Sequence, residues 1–241
     1  MSPLAAQTQA ELRMTLKRGE SLLLTLGIPV MLLAFFSLVD VLPTTTDDPV
    51  DFLAPGVMAL AIMSTAMVSL AIATGFERQY GVLKRLGTTP LGRTNLLLAK
   101  TAAIVVIELL QICVLTLVGF VLGWRPPAGG LLIAVVAVVL GTAAFAGIGM
   151  TMAGTWSAEK TLAGANGLYL VLLLISGMVI PLAKLPGAAR FVARLLPSAS
   201  LSDILHGALT TGGSVPGRAW IVLSIWALAM PVLAAKLFRW E

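Results

Sequence analysis

The sequence predicts an all-α integral membrane protein with six transmembrane helices, and three observations carry that prediction. Of 241 residues, 58% are hydrophobic and 11% are charged, with a mean hydropathy of +0.98. A soluble domain carries about a quarter charged residues, so this chain cannot cover a globular surface with ionised groups. Residues 52–76, 126–158 and 161–183 contain no charge at all, over 25, 33 and 23 positions. These runs are continuous rather than alternating. A bilayer core of about 30 Å takes roughly 20 helical residues, whereas a barrel strand takes about 10 alternating ones. The same figures exclude a disordered chain, a coiled coil and a disulfide scaffold, and the single Cys113 leaves no intramolecular disulfide.

The elements follow in order. Residues 4–19 read as an interfacial helix or a tail, with Leu12 and Leu16 four apart and Arg13, Lys17 and Arg18 placed for lipid headgroups. The six spans are expected at about 22–40, 54–76, 97–122, 130–153, 162–181 and 219–236. Lys17 and Arg18 before the first span resemble a signal peptide, but the apolar stretch is too long and no small-residue cleavage site precedes Asp40. Pro29 marks an expected kink in it.

An even number of spans puts both termini on one side. That side would hold 11 of the 16 basic residues, among them Arg78, Lys84, Arg85, Arg93, Lys100 and Lys160, and the other side 5, with Asp40, Asp47, Asp48 and Asp51. The positive-inside rule then places both termini in the cytoplasm. The net charge of +5 is thereby explained by orientation, without nucleic acid.

Between spans two and three, Phe76, Tyr80, Leu83 and Leu86 follow helical spacing, with Glu77, Arg78, Lys84 and Arg85 around them and Pro90 as the expected stop. This predicts a short amphipathic helix at the membrane face. It suits docking into a protein groove, and equally a basic loop resting on anionic lipid. The stretch 181–218 is broken by Pro181, Pro186 and Pro197. Phe191 and Leu195 share one face, Arg190 and Arg194 another, and Leu201, Ile204, Leu205 and Ala208 form a stripe with Asp203 and His206 off it. Two short helices at the outer end fit this pattern, as an exit path or as a plug.

The chain has no Gly-x-x-x-x-Gly-Lys-Ser/Thr loop, no Gly-x-Ser-x-Gly and no His-Glu-x-x-His. No catalytic or metal-ligating residues are expected, since one histidine and one cysteine stand far apart. Glu108 lies deep in span three, where an acidic side chain costs about 2.5–3.5 kcal/mol unless it faces the bundle interior. Gln111, three residues on, shares its face and is the expected hydrogen-bond partner. The pair reads either as a substrate or proton contact or as a tie between helices. Asn166 is similarly open. Gly147, Gly149, Gly154, Gly164 and Gly167 argue for close helix packing around spans four and five.

The stretch Glu77-Arg78-Gln79-Tyr80-Gly81-Val82-Leu83-Lys84-Arg85-Leu86, followed by Thr89-Pro90-Leu91, resembles the Glu-Arg-Glu-x-Gly-Thr-Leu…Thr-Pro-Leu signature of type-2 ATP-binding-cassette export permeases, including the daunorubicin-resistance permease group. Gln79 stands where a glutamate is usual and Val82 where threonine is usual. The likeness spans the whole chain 1–241 as one permease domain. It implies that residues 4–19 are a connecting helix, 77–86 a coupling helix and 182–210 an external helical hairpin. By that resemblance Glu77, Arg78, Tyr80, Gly81, Leu83 and Leu86 would meet a separate ATPase. The chain itself would carry no cofactor, with ATP and Mg bound by the partner.

The resemblance further implies two ATPase subunits per complex and a second permease chain, identical or homologous, with spans one, two and five bordering the substrate path. The expected activity is export of a hydrophobic or amphiphilic drug or lipid across a bacterial plasma membrane. The alternative class is a proton- or ion-coupled secondary transporter that uses Glu108.

Overall fold

The computed structural model describes residues 3–17, 19–39, 48–87 and 92–239, and every regular element among them is helical. Arg18, Asp40, Asp47 and the Thr89-Pro90-Leu91 stretch lie outside the described residues. Helix α1 is Pro3–Lys17 and α2 is Gly19–Leu38. A continuous helix, Pro49–Gln79, follows in three parts: α3 (Pro49–Met63), a π-helical segment (Ser64–Ser69) and α4 (Leu70–Gln79). Then come the short α5 (Val82–Gly87), the long α6 (Arg93–Val121) and α7 (Leu131–Thr155), and α8 (Ala158–Ile175). Two short helices, α9 (Gly187–Ala193) and α10 (Pro197–Leu209), precede α11 (Gly217–Leu237).

Among the described residues, five helices are long and apolar enough to cross a membrane: Pro49–Gln79, Thr94–Val121, Ala128–Thr155, Ala158–Ile175 and Gly217–Leu237. The expected first span corresponds to α2, whose described apolar side chains run from Leu23 to Leu38. The fifth expected span ends early, because α8 stops at Ile175 and residues 176–180 bend. The second is longer than its apolar run: the helix continues past Phe76 to Gln79 and so carries Glu77 and Arg78 on its last turn.

Burial sorts the helices. Pro49–Gln79 is the central element, with Leu53 through Met63 and Ala66 to Met67 almost wholly enclosed. The outer helices turn apolar side chains outward instead: Leu109, Leu117 and Val121 on α6, Leu132 and Val139 on α7, Ile225 and Leu228 on α11. In water such a surface would be untenable; against lipid tails it is the ordinary outside. The closest pair is α7 with α11. At Gly147 an added Cβ would sit 2.6 Å from the Met230 and Pro231 backbone, and at Gly149 it would sit 2.6 Å from the Met67 carbonyl. Those two glycines exist for backbone approach. Gly167 has nothing within 4 Å and does not share that role.

Two ends of the bundle can be told apart by their contacts. One, here the basal end, gathers α1, the last turn of α4, α5, the start of α6 and the junction of α7 with α8. The other gathers α9, α10 and the first turns of α3 and α11. The chain leaves α1 at the basal end and enters α3 at the opposite one, with α2 between them.

Candidate functional site

The basal end is held by a buried cation. Lys100 stands two turns into α6 with a side chain only 2% exposed, and its Nζ lies 2.5 Å from Glu77 Oε2 on α4 and 2.9 Å from Glu11 Oε1 on α1. Gln7 Nε2 donates to the same Glu11 at 2.8 Å. An ammonium is withdrawn from water here only because two carboxylates replace its hydration. The amphipathic reading of α1 changes accordingly: Glu11 is its buried residue, whereas Leu16 is 47% exposed.

The two residues after Glu77 reach a different element. Arg78 Nη2 donates to the Trp156 carbonyl at 2.5 Å, and Gln79 Nε2 donates to Glu159 Oε1 at 2.7 Å. Trp156 ends α7, and Ser157 caps α8 by accepting from the Lys160 amide. Three consecutive side chains thus tie the end of α4 to α1, to α6 and to the α7–α8 junction.

Residues 77–86 do not form one helix. The α4 helix ends at Gln79, Tyr80 leaves helical geometry, and Gly81 takes φ +71°, a left-handed conformation that favours glycine. The chain then turns into α5. The aromatic face expected from spacing is therefore divided. Tyr80 is 71% exposed and stacks beside Phe76 at 6.1 Å between ring centres, while Leu83 is wholly buried and Leu86 packs on the core. Lys84 and Arg85 remain on the exposed side of α5.

Inside the bundle, Glu108 and Gln111 part company. Thr142 on α7 donates to Glu108 Oε2 at 2.5 Å. Gln111 instead accepts from Thr65 Oγ1 at 2.9 Å and donates to the Thr25 carbonyl at 2.9 Å, joining α6 to the π segment and to α2. The expected bond between the two residues is replaced by bonds to different neighbours. A shared helix face sets the direction of two side chains, but their partners stand on different helices. Glu108 Oε1 has no hydrogen-bond partner among the described residues. Asn166 bonds the Leu162 carbonyl on its own helix.

At the opposite end α10 buries Leu201, Ile204, Leu205 and Ala208 against the bundle, the stripe read from sequence. His206 lies off the stripe with Nε2 2.9 Å from the Phe52 carbonyl and Nδ1 2.8 Å from the Ser202 carbonyl. Burial holds its pKa below the ordinary value, although both carbonyls pull the other way. Asp203 pairs with Arg218 at 2.9 Å; burial raises its carboxyl pKa against the pull of that guanidinium. Phe191 and Leu195, on and beside α9, are both exposed.

Lys100, Glu11, Thr65 and Thr142 were not recognisable as site residues from spacing. The signal for Lys100 was a lone charge with Leu96, Leu97 and Ile104 about it, which a loop would not need.

An all-helical bundle of this kind, apolar outside and tied by polar contacts within, is a multi-pass membrane protein. Residues 4–209 match the family described as ABC-2 type transporter, and the chain belongs to that family. The family is one of transport subunits rather than catalytic enzymes, and its permeases typically partner with ATPase subunits. None of the curated proteins compared with the chain matches it.

Proposed function

We propose that this chain is the permease subunit of an ATP-driven exporter of hydrophobic or amphiphilic molecules. Six spans, counting α2, would place both termini and the basal end in the cytoplasm of a bacterium, with the substrate leaving across its plasma membrane. Arg13, Lys17, Lys84, Arg85, Lys160 and Lys236 support that orientation by the positive-inside rule. Two permease chains and two ATPase subunits would complete the transporter, and ATP with Mg would be bound by the ATPase.

One observation carries the coupling role. The exposed Tyr80, Lys84 and Arg85 follow directly on Glu77, Arg78 and Gln79, whose side chains are bonded to three separate helical elements. A partner that moves α5 would therefore move α1, α6 and the α7–α8 junction together, shifting the bundle between arrangements with different substrate access. The testing experiment is a mild-detergent pull-down of the chain from its native membrane, with an ATPase assay and mass spectrometry. A phosphate-loop ATPase at about one per permease chain is the expected result. A clean preparation without one would favour the Glu108-dependent secondary transporter, for which the unpartnered Glu108 Oε1 is the supporting observation.

A further inference from the structure

A cavity of about 600 Å³ lies within the single chain, bounded by α1, α2, the helix Ser64–Gln79 and α6. Its walls are mostly apolar, with Val68, Ala73, Ile104 and Ile107 among them. Thr15 and Ser69 also line it, and two polar clusters mark its basal and deep levels. Glu11, Glu77 and Lys100 mark the basal level, and the Thr25 and Thr65 of the Gln111 hydrogen-bond chain mark the deep one. Exposed lining residues, Met14 and Leu24 on one side and Tyr80 and Val82 on the other, frame its mouth.

The dimensions limit the occupant. Thr65 and Glu77 are twelve residues apart on one helix, so the cavity runs for about 18 Å along it. That is close to one leaflet of a hydrocarbon core about 30 Å thick. A space of about 600 Å³ drawn out over that length suits an elongated aliphatic body. A small-molecule site typically has 300–1,000 Å³, apolar walls and a few placed polar groups, and this cavity has all three.

We propose that the cavity binds a single-chain amphiphile drawn from the surrounding leaflet, with its polar head beside Glu11, Glu77 and Lys100 and its tail reaching Thr65. The two carboxylates favour a head that can donate hydrogen bonds, such as an ammonium. The site lies within one chain, against the first and second expected spans. It deepens the permease reading, and rests on that reading only for what becomes of the ligand.

The test uses the full chain in nanodiscs and a hexadecyl lysophosphatidylethanolamine carrying a photoreactive diazirine at its tail end. The expected result is saturable labelling near Thr65 and Ile107, competed by unlabelled lysolipid. Labelling should fall about tenfold in Ala73→Phe, which fills the cavity, and stay unchanged in the outward-facing Leu117→Trp. Labelling that does not saturate and is spread over Leu117 and Ile225 would overturn the proposal. So would undiminished labelling of monodisperse Ala73→Phe. If that variant does not fold, competition on the unaltered chain decides alone. No ATPase is present in this experiment, so its failure leaves the permease reading to the pull-down.

Discussion

Lys100 Nζ and Glu77 Oε2 lie 2.5 Å apart, joining the first turns of α6 to the last turn of α4 in a place where the lysine side chain is only 2% exposed. With Glu11 as the second carboxylate, the pair turns the basal end into one connected body. It also changes what a substitution at Glu77 means. Read from sequence, Glu77 belongs to a docking surface and can be replaced without harm to the fold. Held against a buried ammonium, it supports the fold as well.

Lys100→Met should therefore destabilise the protein by about 3–5 kcal/mol, because Glu11 and Glu77 are left enclosed without their cation. Removing all three charges in Glu11→Gln, Lys100→Met, Glu77→Gln together should recover most of the loss. Thermal unfolding of the purified chain in detergent measures both. Equal stability of Lys100→Met and the native protein would mean that water reaches the cluster.

The exposed and buried residues of the coupling segment should separate by assay. Tyr80→Ala, at a site 71% exposed, should leave the unfolding temperature unchanged and lower substrate-stimulated ATP hydrolysis by the assembled complex at least tenfold. Leu83→Ala, at a wholly buried site, should cost about 2–5 kcal/mol of stability first. If Tyr80→Ala leaves stimulation intact, docking does not run through this turn.

Gly147→Val should destabilise by about 1–3 kcal/mol, since the new Cβ meets the Met230 and Pro231 backbone and neither can rotate away. Gly167→Ala meets nothing and should stabilise α8 by about 0.5–1 kcal/mol. Paired unfolding curves test the contrast.

Thr65→Val removes the donor to a buried Gln111 oxygen and should cost about 1–3 kcal/mol. Glu108→Gln keeps an oxygen for Thr142 and should leave ATP-driven transport in vesicles near its native rate. Transport that persists without ATP under a pH gradient, and disappears in Glu108→Gln, would establish the proton-coupled class instead.

The α10 end should be sensitive to acid. A histidine whose pKa is lowered in the folded state takes up its proton more readily in the unfolded chain. Its contribution to stability is then full above the ordinary value near 6.5 and is lost as pH falls through the folded value. Unfolding temperatures should drop between pH 7 and pH 5 in the native protein, and less in His206→Gln. Parallel curves would show that another group governs the slope.

The helical membrane class, the approximate places of the long spans and the buried stripe on α10 were all legible in the residue order, because each depends on local composition and a period of 3.6. The end of α4 was not: spacing predicted one helix across 77–86, and Gly81 divides it by taking φ +71°, a conformation that other residues avoid. What could not be read were the partners of polar side chains. Lys100 counted as one more basic residue near a loop, and Gln111 seemed the neighbour of Glu108. Only the packing of α1, α4 and α6 shows Lys100 between Glu11 and Glu77, and only the packing of α2, the π segment and α7 sends Gln111 to Thr65 and Glu108 to Thr142. The reason is physical. Hydropathy is a sum over nearby residues and survives any arrangement of helices, whereas a buried charge or amide is satisfied by groups brought from dozens of residues away, and which groups arrive is settled when the helices pack.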